Sequence, residues 1–494
     1  MNRRNESGAD VDRSVLDLDA IGQAELIARK EISPRELLEL VLDAVDRCNP
    51  AINAVIHRLD DSARSAADDP VPGPFSGVPM FVKDGVCHTA GDPFHCGMRV
   101  LRDADWREHD DAALARRFRA AGFVIAGKTN LPELAMSVTT EPLAYGPTRN
   151  PWALDRSPGG SSGGSGAAVA ARMVAVAHGN DMGGSIRIPS SACGLVGLKP
   201  TRARTSLAPA FGEYWAMTTH EFVLVRSVRD AAAILDCVAG PEPGDPYTAP
   251  APLRPWALEP GADPGRVRIG WRTDARAGLM ATHPEVVTAV EHTASLLAEL
   301  GHDVDRVAMA SLDDPRIDAA MGLMFPVFAA RDVERWSRRL GRPIALDELE
   351  PQNAMLCEFG RAITAEQFLD GVETTQAWSR AVARHWSDDG YDLLLVPTLG
   401  DVPVHIGELA PDRPDRMEVV ARDAAITGFV APWNLSGQPA ISLPMAYTHD
   451  GVPIGVQLVA EQGREDILLR VAAQLEAASE WNRRRPVVCA SDPG

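Results

Sequence analysis

The chain has 494 residues, 45% hydrophobic and 24% charged, the usage of a globular protein able to bury a large core. Its 49 basic and 68 acidic residues leave a formal charge of −19, which argues against a nucleic-acid or anionic-membrane surface. The polar start MNRRNESGADVDR carries no secretory apolar run, no segment approaches the ~20 apolar residues of a membrane span, and seven cysteines, an odd number, fit reduced thiols better than a disulfide framework. These features lead us to expect a soluble, cytoplasmic protein with neither a nucleic-acid nor a membrane partner.

In chain order, residues 1–13 read as a disordered tail. Ser33-Pro34-Arg35-Glu36 is a capping box with proline at the first helical position, and the apolar stripe behind it predicts a helix ending before Asn49-Pro50. Strands are predicted at 52–56 and 78–82, the second delivering Lys83-Asp84 at its C-terminal end, where α/β folds often build sites. A helix at about 110–121 is stopped by Gly122 and followed by a strand at 123–127. Between Ser157 and Pro200 two Gly-Gly-Ser clusters, 159–161 and 183–185, flank a small-residue helical segment. Glycine permits close backbone approach, and a flexible linker would not carry the apolar run 167–171 or Ile186-Arg187-Ile188-Pro189. Ser227 caps a further helix, and a Pro/Gly-rich connection covers 240–266. Then come a strand at 267–271, a helix at 284–300 and a strand at 304–307. Residues 313–388 read as a mostly helical insert, a lid or substrate-facing wall. Strands at 392–396, 440–443 and 454–459 and a helix at 465–478 close the pattern. Strand and helix alternate without a polar linker. The expected fold is α/β: one large three-layer α/β/α domain over 14–494 around a central mixed, largely parallel sheet.

Several motifs compete for the chemistry. Gly159-Gly160-Ser161-Ser162-Gly163 satisfies G-x-S-x-G, but so does the frame one residue later, and no downstream histidine is marked as catalytic. Neither glycine cluster is followed by the lysine of a phosphate-binding loop, and Lys128-Thr129-Asn130 is not the Lys-Thr-Gly of a β-lactamase. Cys87-His88 and His95-Cys96 have metal-binding side chains, but adjacent Cys-His pairs rarely turn both donors to one ion, so loop residues and no metal are expected. A serine nucleophile needs a base. Lys83, at the end of a buried strand, can be a neutral amine of depressed pKa, or it can be salt-bridged to Asp84.

Gly77-Val78-Pro79 with Val82-Lys83-Asp84, Gly127-Lys128-Thr129-Asn130-Leu131-Pro132-Glu133, Tyr145-Gly146-Pro147-Thr148-Arg149-Asn150-Pro151, the glycine-rich stretch and Gly437-Gln438-Pro439-Ala440-Ile441-Ser442 resemble the amidase signature family over nearly the whole chain. Within that family the chain is similar to the group of bacterial hydrolases of linear or cyclic ω-amino-acid amides, the 6-aminohexanoate cyclic-dimer hydrolase group. The resemblance implies a Ser–cis-Ser–Lys triad: Ser185 as nucleophile, Ser161 after a cis peptide as bridge, and Lys83 as base. It implies an oxyanion hole from the backbone N–H groups of Met182, Gly183, Gly184 and Ser185, and no cofactor. Asn130, Ser162, Asp181 and Arg187 are expected mainly to hold the glycine turns, with an ion pair preferred for Arg187. The loop 139–145, Trp433 and Asn434 are expected to line the acyl pocket. The implied function is hydrolysis of a small-molecule carboxamide through a Ser185 acyl-enzyme. An alternative from the same triad is the amidase subunit of a glutamine-dependent amidotransferase. The oligomeric state is open, a homodimer being one option.

Overall fold

The computed structural model describes residues 12–275, 280–479 and 481–492. Eleven strands in chain order, β1 Val55–Arg58, β2 Pro79–Lys83, β3 Val124–Thr129, β4 Val176–Asp181, β5 Val196–Lys199, β6 His220–Val225, β7 Arg268–Trp271, β8 Asp303–Arg306, β9 Leu393–Pro397, β10 Ala440–Tyr447 and β11 Pro453–Ala460, form one sheet. Their spatial order is β1-β3-β2-β4-β6-β5-β10-β11-β9-β7-β8. Helices flank it, as the alternating pattern predicts. Helices Gly163–Ala170 and Arg187–Cys193 pack on the middle strands and on each other, and Val228–Val238 and Glu465–Ser479 do likewise.

The sheet is mixed, as expected, but parallel pairing is confined to β3-β2-β4 and β9-β7-β8. From β4 through β6, β5, β10 and β11 to β9 every neighbour is antiparallel. This corrects the expectation of a largely parallel sheet. Three of those central strands, β4, β5 and β6, are not among the predicted ones: β4 and β5 lie inside the glycine-rich stretch, and β6 opens on His220-Glu221 before a run of only four apolar residues, 222–225. Antiparallel neighbours need only a turn, which Asp450-Gly451 supplies between β10 and β11, with Gly451 at φ 88°.

Other boundaries move slightly. The first 11 residues of the expected tail lie outside the described residues, and Arg13 already opens a 3₁₀ turn, Arg13–Asp17. The capping box at Ser33 forms, but its helix, Pro34–Ile52, runs through Pro50 and stops at Asn53 in the left-handed region (φ 50°). Proline in the last turn forfeits only one hydrogen bond. In the insert, Arg316–Leu340, Pro351–Ala362 and Ala365–Ser387 are helices. Arg316–Leu340 is anchored at both ends of its length. Ile317 and Met324 pack with Leu394, Val396 and Trp433 near the sheet, whereas Val333 and Trp336 pack with Phe94, Met98 and Leu101. It thereby bridges β9 to the loop after β2. No helix among the described residues is long and apolar enough to cross a membrane.

What positions the site is the pairing of β2 with β4. They are parallel neighbours, Met80 opposite Val176 and Phe81 opposite Ala177, so Lys83 and Asn180-Asp181 emerge at the same edge of the sheet. That is the strand-end location where open α/β sheets place ligands.

Candidate active site

Lys83 is fully buried, and its amine is surrounded by three oxygens. Ser161 Oγ lies 2.7 Å from Nζ, Ser162 Oγ 2.9 Å, and Asn180 Oδ1 closer still. The roles of these oxygens can be sorted. A side-chain carbonyl only accepts, so Asn180 takes an N–H from Nζ. Its own Nδ2 donates to the Gly85 carbonyl at 3.3 Å, which fixes the amide's orientation. The Ser162 hydroxyl donates to the Asn180 carbonyl at 3.3 Å and is left to accept from Nζ. A neutral amine has two N–H groups and one lone pair. With Asn180 and Ser162 receiving the N–H groups, the lone pair faces Ser161. Burial pushes the Lys83 pKa down to about 7, against the opposing pull of the negative charges of Glu221 and Asp181.

The Gly160–Ser161 peptide is cis. Gly160 is required on packing grounds, since a Cβ there would meet the Thr139 carbonyl oxygen at 2.5 Å. Thr140 Oγ1 ties the segment down, donating to the Gly159 carbonyl at 3.0 Å and accepting from Gly163 N–H at 3.2 Å. The expected loop 139–145 thus braces the first glycine cluster.

The second cluster turns between β4 and helix Arg187–Cys193, and Asp181 holds it from within. One carboxylate oxygen accepts from Gly184 N–H at 2.7 Å and the other from Ile186 N–H at 3.3 Å. Arg187 closes on the same carboxylate through two bonds of 2.9 Å, both side chains fully buried. Arg187 also reaches Val430 O and Gln457 Oε1, and Asn434 Nδ2 donates to the Asp181 backbone and side-chain oxygens at 2.8 and 2.7 Å. Burial raises the Asp181 pKa, but Arg187 and Asn434 outweigh it and hold the carboxyl below the usual range. Gly184 N–H is therefore spent on Asp181. This corrects the four-donor expectation: the N–H groups of Met182, Gly183 and Ser185 are the ones without an acceptor among the described residues. Gly183 faces open space, where a Cβ would meet nothing within 4 Å. Ser185 is 8% exposed, whereas Ser161 and Lys83 are sealed at 0%, so the triad candidates run from a partly accessible serine to a buried amine.

Beside this edge lies a cavity of about 240 Å³ that touches Gly85, Asn180 and Met182. Its walls include Phe94 and Leu131, Phe211 and Tyr214 from the segment between β5 and β6, and Arg335 and Trp336 from the insert. The insert thus supplies part of this cavity's wall.

Other candidates are placed elsewhere. Trp433 is 1% exposed in the core with Trp378, Trp386 and Leu435 and does not line this cavity, because the helix carrying it packs between the insert and β10. Asn130 is spent on Gly146 O, Thr148 Oγ1 and Leu131 N–H, a bracing role. Cys87, His88, His95 and Cys96 do not converge. Instead His57, Asp84 and His95 form one cluster, and Cys87, His178 and Glu221 another, each with donor atoms within 4.8 Å. The residue that sequence reasoning missed is Asn180. Its signal was its place directly before Asp181, at the end of the small apolar run Val174-Ala175-Val176-Ala177.

The family model described as Amidase matches residues 36–469. The 6-aminohexanoate-cyclic-dimer hydrolase of Paenarthrobacter ureafaciens is 44% identical over 475 residues, 95% of this chain and 96% of that protein. A solved structure of 6-aminohexanoate cyclic dimer hydrolase superposes with a TM-score of 0.93 at 44% identity, covering 96% of this chain and 99% of that one. A glutamyl-tRNA(Gln) amidotransferase subunit from Thermotoga maritima gives 0.74 at 28% identity, covering 97% and 99%.

The two glycines before Ser185 should respond oppositely to a methyl group. Gly184→Ala places a Cβ 2.5 Å from Val430 Cγ2 at φ +126° and should cost about 1–3 kcal/mol. Gly183→Ala should leave stability within about 0.5 kcal/mol. Urea unfolding of both variants checks this; equal midpoints would contradict the geometry of the turn.

Proposed function

The chain belongs to the amidase signature family of amide-bond hydrolases, and from that premise we propose that it opens a small carboxamide, a linear or cyclic ω-amino-acid amide, through an acyl-enzyme on Ser185. The observation that carries the reading is the sealed Lys83 amine 2.7 Å from Ser161 Oγ, with Ser162 and Asn180 as its other two oxygen partners.

Ser161 gives its proton to Lys83 and takes one from Ser185, whose oxygen bonds to the substrate carbonyl carbon. No hydrogen bond joins Ser185 Oγ to Ser161 Oγ among the described residues, so the mechanism requires that contact to form on substrate binding, as catalytic hydrogen bonds commonly do. The N–H groups of Gly183 and Ser185, with that of Met182, receive the oxyanion. Asp181 contributes by occupying Gly184 and Ile186, which holds the turn so that the neighbouring donors point outward. The tetrahedral species then collapses: the C–N bond breaks, and Lys83 returns its proton through Ser161 to the leaving nitrogen. Water repeats the sequence on the ester, releasing a carboxylate and restoring Ser185. A neutral lysine suits both halves because it accepts a proton and then gives it back near pH 7.

The amidotransferase alternative keeps the same triad. The likeness to the cyclic-dimer hydrolase is greater than to the amidotransferase protein in both identity and TM-score, which favours a hydrolase acting alone.

Ser185→Ala should give a folded protein with less than about a hundredth of the amidase rate, and a fluorophosphonate probe should label Ser185 in the unmodified protein. Label mapped by mass spectrometry to Ser161 or Ser162 would overturn the assignment. Because Lys83 must be unprotonated and its pKa is near 7, kcat/KM should rise with pH through an acid limb centred there and fall tenfold per unit below it. A rate independent of pH from 5 to 8 would contradict the lysine base.

A further inference from the structure

The cavity beside Asn180 and Met182 is walled on its insert side by two arginines of helix Arg316–Leu340. Arg339 is spent: it donates two bonds to the Glu108 carboxylate, at 2.8 and 2.6 Å. Arg335 is different. Its guanidinium lies 4.0 Å above the Phe211 ring, and it has no carboxylate within ion-pair distance among the described residues. The acids nearest to it along the helix form no ion pair with it. Asp332 feels the Arg335 charge, but its Oδ2 accepts from Tyr214 Oη at 2.5 Å and Trp215 Nε1 at 3.1 Å, and Glu334 pairs with Arg338 at 3.3 Å. The cavity's other acid, Asp110, stands 3.4 Å from His88 Nε2. Carboxylates outnumber cations in this chain, so the vacant partner position at Arg335 is not a shortage of acids.

A guanidinium over an aromatic ring still has N–H groups to give, and their fork fits a carboxylate through two parallel bonds. We propose that Arg335 is a carboxylate subsite: the cavity takes the anionic end of a linear ω-amino-acid amide in preference to the same chain with an uncharged end. In such a substrate the carboxylate sits on the part released as the amine, so the leaving half occupies this cavity. The inference rests on the reading of Ser185 only for where the scissile bond lies.

The test is calorimetric titration of Ser185→Ala and of Ser185→Ala combined with Arg335→Met. The probes are the linear dimer of 6-aminohexanoic acid and its C-terminal carboxamide, which differ only in that charge. The acid should bind Ser185→Ala on the order of 10- to 100-fold more tightly than the carboxamide. The ratio should fall towards one in the double variant, and Arg335→Lys, which keeps the charge but not the fork, should retain part of it. Equal or undetectable binding of the two probes to Ser185→Ala, or a ratio untouched by Arg335→Met, would overturn the subsite. Release of 6-aminohexanoate during the titration would instead count against Ser185 as nucleophile, so the two failures read out separately.

Discussion

Everything at the site depends on keeping one lysine amine dry. Charging Lys83 in its sealed position, with no carboxylate in contact, carries the full desolvation penalty of a buried ammonium, and that penalty brings its pKa down to about 7. The fold works to maintain this. β2 ends the lysine inside the sheet edge, β4 brings Asn180 alongside, and the first glycine cluster lays Ser161 and Ser162 over the amine. The closeness explains glycines outside the clusters too. At Gly179 a Cβ would stand 2.6 Å from Leu224 Cδ1 and 3.0 Å from Ser162 Oγ, pushing away an oxygen that orients the lysine. Asn180 and Ser162 thus act as positioning residues in the proposed mechanism, aiming the amine's lone pair at Ser161.

The second cluster solves a different problem with a full charge. Asp181 and Arg187 are both completely buried, an arrangement that is costly unless every donor and acceptor is met. Here nearly all are, by Gly184, Ile186, Asn434, Val430 and Gln457. What the pair provides is a rigid turn, in which the N–H groups of Gly184 and Ile186 are consumed and those of Met182, Gly183 and Ser185 are left over. The two Gly-Gly-Ser clusters, alike in sequence, therefore do opposite work: one crowds a hydroxyl against a buried amine, the other leaves donors and a partly exposed hydroxyl unengaged.

Much of this was legible in the sequence because it rests on local rules. A lysine closing an apolar strand, a serine capping box at Ser33, and glycines placed where no side chain fits can each be read from a few residues. The wholly buried antiparallel centre could not. β4 and β5 are written in Gly, Ala and Val inside a stretch whose glycines pointed to loops, and pairing direction depends on partners far away in the chain. Gly184 was expected to serve the oxyanion because composition cannot tell which N–H a neighbouring carboxylate has claimed. Trp433 looked like pocket lining from its position before β10, yet the insert covers it. Arg335 is invisible in the sequence for the same reason: its meaning lies in the carboxylates that turned elsewhere.

In the proposed reading, substrate contact and chemistry come from different layers of the molecule, the chemistry from the sheet edge and the selectivity from the insert helix and the segment between β5 and β6. The proposed mechanism stands on the ionisation of Lys83, and the chain has only four lysines, which makes direct observation practical. Lysine side chains labelled with ¹⁵N, with Lys83 assigned by its loss in Lys83→Met, can be titrated by NMR. The mechanism predicts that Nζ changes from ammonium to amine with a midpoint near 7. An ammonium signal persisting to pH 9 would contradict it.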